Sequence, residues 1–193
     1  GTGLQTTRFR EDAREMIHKA VGGAEDDLVI FCGSGATAAI NKLIDILNIR
    51  LPADLDSRYK LAENIPAEER PVVFIGPYEH HSNELPWRET IADVVMIEED
   101  ADGRIDLVNL EVMLKKYEER PLKIGSFSAA SNVTGIGSKT RDIAALLHRY
   151  GALSFWDFAA AAPYVRIEMN MEDEQDGGDL VYHDAVFISP HKF

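Results

Sequence analysis

The chain has 193 residues, 45% hydrophobic and 27% charged, the composition of a globular domain with room for a full core. Its 33 acids against 20 bases leave a net charge of −13, which disfavours nucleic acid and anionic membrane surfaces as partners. A lone cysteine, Cys32, rules out an internal disulfide and fits a reducing, cytoplasmic compartment, and no apolar run approaches a membrane span or a leader-peptide core.

Strand-like and helix-like segments alternate along the chain. Residues 4–23 predict a helix, with Ala13, Met16, Ile17, Ala20 and Val21 at helical spacing and Gly22-Gly23 to end it. Residues 27–33, DLVIFCG, predict a first strand. Residues 36–49 predict a helix with Ile40, Leu43, Ile44 and Leu47 on one face. Residues 50–71 are polar and punctuated by proline, and are expected to be mostly connection. VVFIG (72–76) predicts a strand, and SNELPWRETI a helix or turn. ADVVMIEED (92–100) predicts a strand, and 106–120 a helix with Asp106 as N-cap. Residues 122–131 predict a strand, 140–151 a helix and 152–158 a strand. MNMEDEQDGGDLVYHD (169–184) is expected to be a solvated acidic loop, and AVFIS (185–189) the last strand. This alternation implies a three-layer α/β/α domain with a mostly parallel central sheet. Ligands of such sheets bind at the carboxyl ends of the strands, so the residues just after each strand matter most.

After 27–33 comes GSGAT, a glycine turn opening a helix. Its free N–H groups and the Thr37 hydroxyl suit an anion, although such turns are also common as plain connections. After 72–76 comes GPYEHHSN, with His80 and His81. Paired histidines are compatible with a metal, a ring stacked on a planar ligand, or ordinary packing. After 122–131 comes Asn132 among small residues. In FWDF, Asp157 lies among large apolar neighbours and needs a cation or donor if buried. After the last strand come Ser189, His191 and Lys192. A phosphate-friendly turn, an aromatic ring, an amide, an enclosed carboxylate and an amine, all at strand carboxyl ends, form the set that pyridoxal 5'-phosphate requires.

At four motifs the sequence resembles the class V aminotransferase family, which includes cysteine desulfurases and selenocysteine lyases of fold type I. GATAAIN is similar to its phosphate turn and helix, EHHSNELPW to its histidine motif, SNVTG to its asparagine motif and SPHK to its lysine motif. The resemblance implies a pyridoxal-phosphate enzyme acting on an amino acid. Lys192 would be the Schiff-base lysine and proton shuttle. Asp157 would pair with the pyridine nitrogen, and His80 would stack on the ring. Ala36, Thr37, Ser189 and His191 would hold the phosphate, and Asn132 would lie near the phenolic oxygen and the substrate carboxylate. No chemistry is assigned to His81 or Asn83. Two positions depart from the pattern: Ala160 stands where the family commonly has glutamine, and Ala38 where it has glutamate.

Family members are about twice as long. Residues 1–193 are therefore expected to be part of a pyridoxal-phosphate-binding large domain. The small C-terminal domain, the substrate-carboxylate arginine and any persulfide-forming cysteine would lie beyond it. The parent is expected to be a homodimer. A non-catalytic fragment or paralogue keeping the fold as an interaction module is the alternative. A metal-dependent hydrolase built on His80, His81 and Asp157 is a more distant one.

Overall fold

A computed structural model of the chain describes residues 2–130, 139–171 and 180–192. Five parallel strands form one sheet: β1 (Val72–Ile75), β2 (Asp93–Met96), β3 (Lys123–Ser128), β4 (Leu153–Asp157) and β5 (Ala185–Phe187). Their spatial order is β2-β1-β3-β4-β5. The chain leaves β1 toward one edge and returns past it to β3, so a topological switch point lies between β1 and β3.

The helices are α1 (Thr2–Ala20), α2 (Gly35–Leu47), α3 (Ala53–Tyr59), α4 (His81–Arg88), α5 (Leu107–Lys116) and α6 (Thr140–Arg149). Alternation along the strands separates two cores. Val72, Phe74, Phe127 and Trp156 face one side and pack with Leu110 and Leu114 of α5 and Ile143 and Leu147 of α6. Val73, Ile75, Ile124, Phe155 and Phe187 face the other and pack with Ala36, Ile40 and Ile44 of α2 and Trp87 of α4. The result is the three-layer α/β/α arrangement that the alternation of segments predicts. Asp106 caps α5 as expected, its Oδ1 accepting from the Val108 and Asn109 N–H groups at 2.8 and 3.1 Å.

Three local expectations are corrected. Residues 27–33 form no strand, and Leu28, Ile30 and Phe31 are exposed. The run has strand-like residues, but a strand exists only where a neighbour completes its hydrogen-bond ladder, and this segment is not paired into the sheet. The 50–71 connection contains α3 and two short 3-10 turns, at Ala62–Asn64 and Ala67–Glu69. The 169–184 loop is not simply solvated: Met169, Met171, Val181 and His183 are buried at its two ends. Residues 172–179 lie outside the described residues.

His183 has a stability consequence. It lies against Trp156 and Phe158, and its Nδ1 meets no hydrogen-bond partner among the described residues. Burial, reinforced by the nearby His148, lowers its pKa to about 4. The folded state thus prefers neutral His183, whereas the unfolded chain protonates near pH 6.5. The neutral ring's contribution is complete above that pH and is lost as pH falls toward 4, amounting to on the order of 3 kcal/mol. His148 works in the opposite direction. Burial opposes its charge, but the Asp184 carboxylate at 2.8 Å and the Leu180 carbonyl at 2.6 Å hold its pKa up. Its contribution is present at low pH and fades as pH rises through that raised value. Thermal melts between pH 7 and 4.5 should show a steeper loss for wild type than for His183→Leu. Parallel profiles would refute this account.

Candidate functional site

A cavity of about 280 Å³ opens at the carboxyl ends of the strands. Its walls come from segments far apart in sequence: the start of α2, the turn after β1, the ends of β3 and β4, and the turn after β5.

The α2 wall is built from Ser34, Gly35, Ala36 and Thr37. Ser34 and Gly35 have φ of 60° and 69°, and the Ser34 side chain makes no capping hydrogen bond. The first turn of a helix carries N–H groups without intrahelical acceptors, so such a start facing a cavity is a place for an anion. Ala36 N–H already donates to Ser189 Oγ at 3.0 Å, which ties the turn after β5 to α2. Gly35 is required at this junction. A Cβ there would lie 3.0 Å from His191 Cε1 and 3.1 Å from Ser189 Oγ, on a backbone that L side chains rarely adopt. Gly35→Ala is expected to destabilise the fold by about 1–2 kcal/mol, read from urea unfolding midpoints.

From the β1 side, His80 precedes α4. The Ser82 N–H donates to its Nδ1 at 3.2 Å, and Ser82 Oγ lies 2.7 Å from the same nitrogen. With Nδ1 accepting, the ring proton of neutral His80 sits on Nε2. Asp157 ends β4 and is buried, its Oδ1 accepting from the Ala159 N–H at 2.8 Å. Burial pushes its carboxyl pKa up, while the Ala159 N–H and the charges of Lys192 and His80 pull it back. The turn after β5 forms a 3-10 turn, Pro190–Lys192, with Ser189 buried and His191 and Lys192 exposed on the cavity.

The structure therefore brings Ala36, Thr37, His80, Asp157, Ser189, His191 and Lys192 to one cavity. Asn132 lies outside the described residues. His81 is not among the lining residues, and no group of three His, Cys, Asp or Glu among the described residues converges as metal ligands. Ala159 and Ala160 also line the cavity, so the position where glutamine is common is apolar here. Sequence reasoning missed Ser82, Gly35 as a steric necessity, and Glu79, whose carboxylate accepts from Ser128 at the end of β3. The signal for Glu79 was its place in the same strand-end turn as the paired histidines.

The residues fit pyridoxal phosphate. A helix start with hydroxyl and imidazole groups suits a phosphate, an amine suits an aldehyde, and a buried carboxylate suits a ring cation.

Comparison with known proteins gives one answer. The family model described as Aminotransferase class-V matches residues 2–192. A probable cysteine desulfurase of Halalkalibacterium halodurans is 32% identical over 171 residues, which are 86% of this chain and 37% of that protein. The cysteine desulfurase of Synechococcus elongatus is 27% identical over 173 residues, 88% of this chain and 24% of its own length. The chain spans a little over a third of the length of the first of these relatives. Among solved structures, a NifS-like protein from Rickettsia africae superposes with a TM-score of 0.74 at 20% identity, over 100% of this chain and 45% of that one. A cysteine desulfurase from Thermococcus onnurineus gives 0.70 at 18% identity, over 97% and 40%.

Proposed function

The chain belongs to the class V aminotransferase family, and on that premise we propose that it holds the pyridoxal-phosphate site of an enzyme that acts on an amino acid. One observation supports the reading above all: Lys192, Asp157, His80 and the start of α2 line the same cavity, although they come from four separate segments.

Bound there, the cofactor supplies an electrophilic aldehyde and an electron-withdrawing ring. In this reading the start of α2, with Thr37, Ser189 and His191, holds the phosphate. His80, its Nδ1 fixed by Ser82, would stack on the ring. Asp157 would keep a proton on the ring nitrogen, because a buried carboxylate favours a cation beside it. The Lys192 amine is the nucleophile, and later takes and returns the proton at the substrate α-carbon. Asn132, outside the described residues, would lie near the phenolic oxygen only as the family resemblance implies.

The relatives make cysteine the first substrate to test. We assign residues 1–193 to part of the large domain of a longer, homodimeric, cytoplasmic protein. Partial coverage of every reported relative supports the first point. The second is supported by α1, which buries no side chain and exposes Leu4, Phe9 and Met16. Among the described residues no helix is long and apolar enough to cross a membrane.

The test is a spectrophotometric titration of the full chain with pyridoxal phosphate, followed by L-cysteine and other amino acids. A visible band that changes with an amino acid is the expected result. A chain that stays colourless overturns the reading, and colour without response to any amino acid favours a non-catalytic module.

A further inference from the structure

The reading above gives no part to Glu79, and the inference that follows rests on that reading. Glu79 lies in the turn after β1, next to His80. The residue keeps some exposed surface, but its carboxyl end is enclosed and meets three donors. Ser128 N–H reaches Oε1 at 2.9 Å, Ser128 Oγ reaches Oε2 at 2.6 Å, and Asn83 Nδ2 reaches Oε2 at 2.8 Å.

Asn83 is fully buried and held from behind. Its Oδ1 accepts from Ser126 Oγ at 2.6 Å, and Ser126 Oγ accepts from Trp87 Nε1 at 3.2 Å. A line of oriented donors thus runs from Trp87 through Ser126 and Asn83 to Glu79, and its direction suits a carboxylate at the end. This gives Asn83 and Trp87 of the histidine motif a job. Gly76 leaves room for the arrangement, since a Cβ there would sit 2.8 Å from Glu79 Oε1.

Ser128 pairs in register with Asp157 across β3 and β4, and the Asp157 carbonyl accepts from the Ala129 N–H at 3.0 Å. Glu79 therefore grips the residue that neighbours Asp157. Burial pushes the Glu79 carboxyl up, the Ser128 and Asn83 donors pull it down, and the negative charge of Asp157 pushes it up again. Asp157 in turn faces Lys192 and His80.

We propose that Glu79 is a positioning residue of this site: it anchors the end of β3 beside Asp157 and adds a second enclosed negative charge, so that both carboxyl groups favour a cation held at Asp157.

The test begins with the full chain free of cofactor. Carboxyl carbon resonances of Glu79 and Asp157 are followed by NMR across pH. In wild type each should report the titration of the other. In Glu79→Gln, which keeps the size and an acceptor for Ser128 N–H, the Asp157 midpoint should fall. A purely structural Glu79 would not shift it. Independent single-step curves in wild type, or an unmoved Asp157 in the variant, overturn the proposal. The wild-type curves decide it even where the variant fails to fold. Pyridoxal-phosphate titration then separates the two readings. Roughly ten-fold weaker binding by Glu79→Gln supports the proposal. Equal binding overturns it alone, and a wild type that binds none removes the site reading and the proposal together.

Discussion

Lys192→Ala should abolish the visible absorbance that the full chain gains with pyridoxal phosphate, and borohydride should no longer fix the cofactor to the segment around residue 192. The amine is the group placed to react with the aldehyde, and among the described residues no other lysine lines the cavity. The remaining contacts survive the substitution. The start of α2, Ser189 and His191 do not depend on the lysine side chain, and Lys192 bonds to the Ser189 carbonyl through its backbone N–H, at 3.0 Å. Cofactor should therefore still bind, more weakly and without covalent attachment. Turnover by the whole protein should fall by roughly a thousand-fold or more, because nucleophile and proton shuttle leave together. A variant that still traps cofactor at residue 192's peptide, or keeps its rate, would show that Lys192 is not the reactive amine.

Asp157→Asn should separate function from stability. Asp157 is buried with its carboxyl pKa raised, so the folded state disfavours the ionised form. The stability tied to its proton is complete at low pH and is lost as pH rises through the raised value. Asparagine keeps an acceptor for the Ala159 N–H and carries no charge, so the cofactor-free variant should melt no lower than wild type at pH 8 and show a flatter profile from pH 4 upward. Cofactor-dependent turnover should fall roughly a hundred-fold or more, since a preorganised charge is removed from the reacting ring. Melting curves of the cofactor-free proteins, with steady-state rates of the loaded ones, check both halves. Lower stability with unchanged rate would assign Asp157 to the scaffold instead.

The strand at 72–75 was legible because its apolar, largely β-branched run VVFI is short and bounded by turns, and parallel strands buried on both faces read as continuous apolar segments. The same logic misplaced 27–33. Its composition is that of a strand, but pairing is decided by a neighbour that local sequence does not reveal. Lys192, Asp157 and His80 could be picked out because they follow strands, and strand ends are where such sheets bind ligands. Their convergence on one cavity could not be read from spacing, since the order β2-β1-β3-β4-β5 is a property of the sheet. Gly35 and Glu79 were hidden for another reason. Their importance lies in what they touch across the chain, Ser189 and His191 for one and Ser128 for the other.

The bond between Ala36 and Ser189 joins residues 153 positions apart. Closing so long a loop is entropically costly, and contacts of this kind form late in folding. During synthesis α2 emerges well before the turn after β5 that it must meet. The cavity's two walls can meet only once the segments of β1, β3, β4 and β5 have all been made. An aldehyde cofactor reacts with any accessible amine, so a nascent chain has no competent pocket to offer it. A cofactor would therefore meet a complete pocket only after the turn after β5 has joined α2.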